Sequence, residues 1–223
     1  MDRDQLVREH PTLFHMAGDG TWPSIREHGL LSTRALLDLF DPPVQLRDSV
    51  LKGVRRTSVD LEREDLGRVT VRDQRPLKFL RSCLSGGTTE QEFLDLLNGR
   101  VFFWLSLRRL QTLLSARLYK DAPQTVLHFD TAEVLDRYGD RVHLAPYNTG
   151  SVQYRNSPQR GRDVFRSVED FPFDDWRIRR GRTRDAVVEL TVLNAVPDAH
   201  ALATRVERWS DGHPVETLYV RQD

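Results

Sequence analysis

The sequence contains one cysteine, few lysines and no long apolar run. The single cysteine and the missing apolar run each exclude a class of protein. Cys83 alone cannot form an internal disulfide or a cysteine-cluster metal site, and in FLRSCLSGG it is interpreted as a small core residue. No apolar stretch approaches the roughly 20 residues of a membrane span. The segment MDRDQLVREH carries acids where a signal peptide has an apolar segment. We therefore expect a cytoplasmic protein that has no membrane partner.

The motifs of several common enzyme classes are missing as well. The chain has no Gly-x-Ser-x-Gly elbow, no P-loop, no Gly-x-Gly-x-x-Gly after a strand and no His-Glu-x-x-His. The seven histidines stand singly, without a pair at i,i+3 or i,i+4, so no metal site is expected. These absences exclude the classical hydrolases and metalloenzymes.

Arginine is the abundant charged residue. The chain balances 33 basic against 33 acidic residues, and only Lys52, Lys78 and Lys120 are lysine. Arginine suits bidentate phosphate contacts, although genome base composition produces the same bias. Arginines cluster in YRNSPQRGR and in RIRRGRTR, residues 177–184, which is typical either of a solvated surface or of a nucleic-acid patch. The nucleic-acid hypothesis assigns contacts to Arg160, Arg162, Arg177, Arg179, Arg180 and Arg182.

The order of apolar patterns predicts one α+β domain over residues 1–223. With 39% hydrophobic residues, the chain has enough apolar surface for a core. Strands are predicted at TLFHM, VFFWLS, QTVLHF, RVHLA, DAVVELTVL and VETLYVR, and helices at WPSIREHG, TRALLDLF, TEQEFLDLLNGR, SLRRLQTLLSARLY, TAEVLDRYG and DAHALATRV. Because these do not alternate regularly, we expect largely antiparallel sheets. Residues 41–75 are the least regular, and 41–100 is predicted as an insertion or lid.

Local signals support several helix ends. Thr89 with Glu92 fits a capping box, Asp130 with Glu133 fits a second, and Pro23 falls in a first helical turn. Gly29 and Gly139 are predicted as stops at the carboxyl ends of helices.

Two residues interrupt apolar strands and are candidates for chemistry. Glu189 stands inside DAVVELTVL, where a carboxylate is costly unless it faces water, a partner or a ligand. Simple alternation, with Glu189 facing solvent, is the competing interpretation. His15 ends the strand TLFHM before a glycine-rich turn, and a structural histidine is its competing interpretation.

Segments in common order resemble ADP-ribosyltransferases of the DarT type. LFHMAGDGTWPSIREHGLLS is similar to their first strand, turn and helix, with His15 at the family histidine. RVFFWLS with LRRLQTLL resembles their aromatic strand and the arginine-containing start of the next helix, and TVLHFDTAEVL the following strand and helix. RGRDVFRSVEDFPFDDWRI resembles a stretch that leads into an acidic helix containing a tryptophan, here Trp176. VVELTVLNAVP is similar to the strand carrying the catalytic glutamate, here Glu189.

The resemblance implies a fold of two small, roughly perpendicular sheets with flanking helices and NAD bound in the cleft between them. It implies that the His15 side chain hydrogen-bonds the adenosine ribose of NAD. The wall near the nucleotide is then formed by Met16, Ala17, Gly18 and Gly20, since a glycine-rich turn lets the backbone approach closely. Ala17 replaces the family's threonine, so one ribose contact is missing.

The resemblance also implies the catalytic groups. Glu189 is the carboxylate that stabilises positive charge on the ribose, and an arginine binds the pyrophosphate. Arg55 and Arg56 are both candidates for that arginine, and Arg72 is a rival. Phe103 and Trp104, together with Phe102, are candidates for a nicotinamide stacking face, with core packing as the alternative.

The implied reaction is transfer of ADP-ribose from NAD, a substrate, to an acceptor. Single-stranded DNA or RNA is the favoured acceptor, most simply a DNA base, while proteins and small molecules are the alternatives. A toxin-like activity would come with an ADP-ribose-hydrolysing antitoxin partner. The competing functions are an NAD enzyme similar to RNA 2′-phosphotransferases, which would need a cluster of phosphate-binding histidines and arginines, and a catalytically silent nucleotide-binding module.

Overall fold

A mixed α+β fold is formed by the residues that the computed structural model describes, which are 1–116, 119–181 and 185–222. The helices are α1 Arg3–Glu9, α2 Trp22–His28, α3 Thr33–Phe40, α4 Val44–Leu51, α5 Glu90–Asn98, α6 Leu107–Leu114, α7 Thr131–Tyr138, α8 Phe173–Arg180 and α9 Ala199–Leu202. The strands are β1 Thr12–Gly18, β2 Leu30–Leu31, β3 Val59–Arg63, β4 Gly67–Val71, β5 Arg100–Trp104, β6 Gln124–Asp130, β7 Val142–Ala145, β8 Glu189–Leu193, β9 Ala195–Val196, β10 Ala203–Ser210 and β11 His213–Val220. Within these ranges, no helix has the length and apolar character needed to cross a membrane.

One seven-stranded antiparallel sheet dominates the fold, with strand order β11-β10-β6-β1-β5-β8-β7. The pairs β2-β9 and β3-β4 form two small sheets. The α+β class with antiparallel sheets is confirmed. The expectation of two separate small sheets is wrong, because β1 and β5 remain hydrogen-bonded neighbours.

The junction between β1 and β5 is nevertheless a near-split of the large sheet. Strand β1 pairs with β6 along its whole length, but its register with β5 consists of the single pair Phe14 and Trp104. Beyond that pair, the His15 side chain provides a hydrogen-bond partner for β5 in place of the β1 backbone. Its Nδ1 lies 2.8 Å from the Phe102 carbonyl oxygen. The two halves therefore diverge while this carbonyl stays satisfied.

The helix ends follow local chemistry. The Thr89 and Glu92 capping box is complete, and the Asp130 side chain accepts from the Glu133 backbone N–H. Gly29 ends α2 at φ 78°, and a Cβ there would collide with the Val196 carbonyl, so glycine is required. The predicted stop at Gly139 is different in kind, because Gly139 has right-handed helical angles and continues into a 3-10 turn.

Two sequence predictions of local structure are wrong. The sequence pattern predicts that residues 41–75 are the least regular part of the chain, but they contain α4 and the β3-β4 hairpin, which form a small apolar cluster with α3. DAHALATRV was expected to be helical, but only α9 is, and β10 follows directly. Register shifts in β10 place buried Ala203, Val206 and Trp209 three residues apart, a spacing typical of a helix.

Candidate active site

A cavity of about 640 Å³ borders the near-split between β1 and β5. Its wall is formed by β1 and α2 on one side, β5 and Glu189 of β8 on another, and parts of α3, β4 and α6. This volume lies within the roughly 300–1,000 Å³ of small-molecule sites, and the lining is mostly apolar with a few polar groups. Residues 41–100 supply part of the wall through β4 and Asn98, while their role as a lid remains a prediction.

Most residues predicted for NAD binding and catalysis line this one cavity. Those that line it are His15, Met16, Ala17, Gly18, Arg55, Arg72, Trp104 and Glu189. Those that do not are Arg56, Gly20 and Phe103. The cavity therefore joins residues that lie more than 170 positions apart in the chain.

Glu189 is a buried carboxyl group at the cavity wall. Its side chain is reached by little solvent, since the residue is 4% exposed, so the solvent-facing alternative is wrong. Oε2 accepts hydrogen bonds from the Thr149 backbone N–H at 3.0 Å and the Thr149 hydroxyl at 2.7 Å. Burial raises the pKa of Glu189 to about 7, and the Thr149 hydrogen bonds and the charges of Arg160 and Arg109 limit that rise. Near neutral pH this group can either accept or donate a proton.

Arg160 holds the loop that donates to Glu189. Its Nη1 donates to the carbonyl oxygens of Thr149 at 3.0 Å and Ser151 at 3.1 Å, and Nε and Nη2 donate to the Pro158 carbonyl. The guanidinium also lies over the Tyr147 ring, 4.9 Å from its centroid. At 2% exposure, Arg160 is out of reach of a nucleic-acid backbone. Its assignment as a nucleic-acid contact is therefore wrong.

His15 is neutral at physiological pH. Burial lowers the pKa of His15 to about 4, more than the hydrogen bond with Phe102 raises it, and the charge of Arg72 lowers it further. Because the Phe102 carbonyl only accepts, Nδ1 carries the proton in this contact and Nε2 is left as an acceptor. His15 is therefore suited to bind a hydroxyl group that donates a hydrogen bond to Nε2.

Adjacent Arg55 and Arg56 differ in environment, and only Arg55 lines the cavity. Arg55 is 8% exposed, and its Nη1 donates to the Val50 carbonyl at 2.7 Å and to Asn98 Oδ1 at 3.0 Å. Burial lowers the pKa of Arg55 to about 10. Arg56 is exposed and lies outside the cavity wall, so the structure does not bring it together with Glu189, and its role in catalysis remains a prediction.

Two more cationic side chains line the same cavity. Arg72 donates to Gln124 Oε1 and lies over the Tyr119 ring, and its pKa is lowered by burial. Burial also lowers the pKa of Arg100, to about 10, and its Nε has no hydrogen-bond partner in the structure. The Nδ2 group of Asn98, which is 1% exposed, is another buried donor without a partner among the described residues. These groups give the cavity an electropositive, donor-rich region.

Strand β5 contributes Arg100, Val101, Phe102 and Trp104 to the cavity lining, but not Phe103. Phe102 and Trp104 line it, whereas Phe103 is 1% exposed and packs edge-to-face against Phe129 in the main core. Phe103 is therefore a core residue and not a stacking face, because neighbouring residues of a strand point to opposite sides. Gly20 is exposed in the turn after β1, away from the cavity.

The remaining predicted nucleic-acid residues lie on or near the surface. Arg162 pairs with Glu92, and Arg177 pairs with Glu9 at 3.0 Å. Arg179 and Arg180 lie over the Trp176 ring of α8. Arg182 lies outside the described residues. Contact of this surface with nucleic acid remains a prediction.

Sequence reasoning missed Thr149, Asn98, Arg100 and Arg109 as cavity or carboxylate neighbours. The signal for Thr149 was the polar turn APYNTG directly after the RVHLA strand. Strand β7 pairs with β8 through Ala145 opposite Glu189, so the turn after β7 must emerge beside that carboxylate. Nothing in the local sequence marks Asn98, whose place at the cavity depends on how α5 packs.

The fold and cavity define a mixed α+β protein with a ligand-sized cleft and a buried carboxyl group in its wall. Residues 11–203 match the model of a family of unknown function, DUF7002. The chain belongs to this family. The matched region contains all the residues that line the cavity. No curated protein matches the chain.

Proposed function

We propose that this protein is an NAD-dependent ADP-ribosyltransferase that cleaves the nicotinamide–ribose bond and transfers ADP-ribose to a nucleic-acid acceptor. One observation carries the proposal. His15 on β1 and Glu189 on β8 line one cavity from the two halves of a nearly split antiparallel sheet. Their strands are separated only by β5, which corresponds to about 10 Å between backbones. This arrangement agrees with the cleft that the DarT resemblance implies.

The cavity offers groups that suit each part of NAD. Neutral His15, with Nε2 as acceptor, suits a ribose hydroxyl. Arg55, Arg72 and Arg100 line the cavity without a hydrogen-bonded carboxylate among their described partners, which favours an anion such as the diphosphate. Trp104 supplies an aromatic face. Ala17 contributes no hydroxyl to the ribose.

Glu189 has the properties that the reaction requires. When the bond between ribose C1′ and the nicotinamide nitrogen breaks, nicotinamide leaves with the bonding electrons and positive charge develops on the ribose. A fixed carboxylate stabilises that charge more strongly in a buried site than in water. The nucleophilic atom of the acceptor then bonds to C1′ and loses its proton to Glu189 or to water. The pKa of about 7 allows Glu189 to act as a carboxylate above neutral pH and to take up that proton.

Label transfer from NAD tests the proposal. The purified protein is incubated with NAD labelled in its adenylate part, together with single-stranded DNA, RNA or no acceptor, and free nicotinamide and labelled product are followed. Glu189→Gln should reduce release and transfer by at least about 100-fold. Glu216→Gln, the same change at an exposed strand position, is the matched control and should keep full activity.

Two outcomes would reject the proposal. Binding of NAD without release of nicotinamide under any condition favours a silent nucleotide-binding module. Equal turnover by Glu189→Gln and the wild type means that the carboxylate has no role in bond cleavage.

A further inference from the structure

A second cavity, of about 440 Å³, adjoins the first beside Glu189. It is lined by Arg108, Arg109, Thr112, Tyr147, Asn148, Arg180 and Val188. Three of these residues, Arg109, Thr112 and Asn148, line the first cavity too. Val188 precedes Glu189 in the chain, and Asn148 precedes Thr149, whose N–H and hydroxyl bind the Glu189 carboxyl group. The second cavity is therefore lined by the residues that precede Glu189 and Thr149 in the chain, while Glu189 itself lines the first cavity.

The charge of this cavity is strongly positive. Its described lining carries three guanidinium groups and no carboxylate. The neighbouring carboxylate of Asp185 is shared, since it accepts from Arg109 Nε at 2.9 Å and from Arg108 Nη2 at 3.4 Å. Arg180 donates to the backbone carbonyl of Asp185. Among the described residues, the two positive charges of Arg108 and Arg109 thus share one carboxylate.

The position of two of these arginines in α6 adds an argument for an anionic ligand. Arg108 and Arg109 are the second and third residues of α6, and its first turn contains no acid. The start of a helix carries partial positive charge, so acids stabilise it and arginines are unfavourable there. An anion bound between these guanidinium groups would offset that repulsion.

We propose that the second cavity binds a phosphate group of a single-stranded nucleic-acid acceptor and so holds the reacting nucleotide near Glu189. The inference rests on the proposed function for the identity of the bound strand as acceptor. Arginine forks match phosphate oxygens in pairs, and the 65% exposed side chain of Arg108 is accessible to a chain that passes over the surface. A strand bound here would place one nucleotide at the opening shared by the two cavities.

Direct binding of an oligonucleotide, measured without NAD, tests this site. A fluorescein-labelled 12-nucleotide DNA of mixed sequence is titrated with the wild type, Arg108→Gln and Arg137→Gln, and anisotropy is read at 50 mM and 200 mM salt. Arg137 is the matched control, because it is 62% exposed and paired with Asp198 but lies outside both cavities. Arg108→Gln should weaken binding about tenfold and lower the log–log salt slope by about 0.7. Arg137→Gln should leave both quantities unchanged.

Further measurements distinguish nucleic-acid binding at the second cavity from catalysis of the transfer reaction. In the transfer assay, Arg108→Gln should raise KM for the oligonucleotide about tenfold with little change in kcat. Equal effects of Arg108→Gln and Arg137→Gln, absence of oligonucleotide binding by the wild type, or equally effective competition by polyglutamate would overturn the inference. Binding that depends on Arg108, in a protein that releases no nicotinamide, would support the phosphate site and reject the proposed transferase instead.

Discussion

Replacing Glu189 by glutamine should stabilise the protein above neutral pH. Glutamine keeps the shape of the side chain and an oxygen that accepts from Thr149, but it cannot carry the buried charge. Burial is the largest cause of the raised pKa of Glu189, so the carboxylate form is costly in the folded protein. The substitution removes that cost and with it the proposed catalytic group.

The size of the effect follows from the pKa. In the folded protein the pKa is about 7, against 4.5 for an unperturbed glutamate, which corresponds to about 3 kcal/mol. Between these values the folded state binds more protons than the unfolded state. The stability contributed by protonated Glu189 is therefore full below pH 4.5 and is lost as pH rises through about 7. At pH 8.5, Glu189→Gln should melt about 6 to 12 °C above the wild type, and at pH 4.5 the two should agree.

Glu207 provides a matched control with the opposite sign. It is also buried, at 6% exposure, and burial pushes its pKa up, but hydrogen bonds from Arg205 and Trp209 and the charge of His128 lower the pKa overall. The Glu207 carboxylate therefore stabilises the fold above its ordinary titration range, and that stability is lost as pH falls. Glu207→Gln should lower the melting temperature at pH 8.5.

Thermal unfolding followed by circular dichroism at pH 4.5, 6, 7 and 8.5 measures these differences. Comparing each variant with the wild type at the same pH cancels the titration of groups that the substitution leaves unaffected. Melting temperatures of Glu189→Gln and the wild type that run parallel across this range would refute the account of a buried, destabilising carboxylate.

Three further predictions concern neighbouring residues. Arg55→Gln should destabilise the fold by about 2 to 4 kcal/mol in urea unfolding, because it removes buried hydrogen bonds, whereas Arg56→Gln at an exposed site should have no measurable effect. Affinity of the Glu189→Gln variant for NAD, measured by calorimetry, should not vary between pH 5.5 and 8.5, since the pKa of His15 is about 4 and the substitution removes the titration of Glu189; a midpoint near 6.5 in this variant would contradict this. Thr149→Val removes the hydroxyl donor at 2.7 Å from Glu189 but keeps the backbone donor. Losing a donor to the carboxylate raises the pKa of Glu189, so the pH at which the rate reaches half of its alkaline maximum should rise by about one unit.

The cost in stability of burying the Glu189 carboxylate favours a functional role for this residue. A residue that lowers the stability of the folded protein is expected where a function needs it, because substitutions that restore the stability would otherwise replace it. Thr149, four residues after Ala145, supplies the hydrogen-bond donors to the Glu189 carboxyl group. Arg160 holds Thr149 in place by donating to its backbone carbonyl. Stability and activity should therefore respond in opposite directions at Glu189 and in the same direction at Arg160.

Local sequence determined much of the secondary structure. The capping box at Thr89 and Glu92, the stop at Gly29 and the apolar runs of β5, β6 and β8 act over a few residues, so they can be recognised without tertiary contacts. The same local character explains the failure at β10. Its bulges change the spacing of buried residues, and a bulge depends on the pairing partners β6 and β11.

The residue types at positions 15 and 189 marked two members of the cavity wall, because a histidine and a glutamate in apolar strands require an explanation. Only the tertiary structure decided that they share a cavity, that Arg55 rather than Arg56 lines it, and that Phe103 belongs to the core. Strand order, the loss of pairing after Phe14 and the path of the loop to Thr149 are set by contacts between distant segments. A local pattern carries no record of such contacts, since burial and hydrogen-bond partners arise only when the chain is packed.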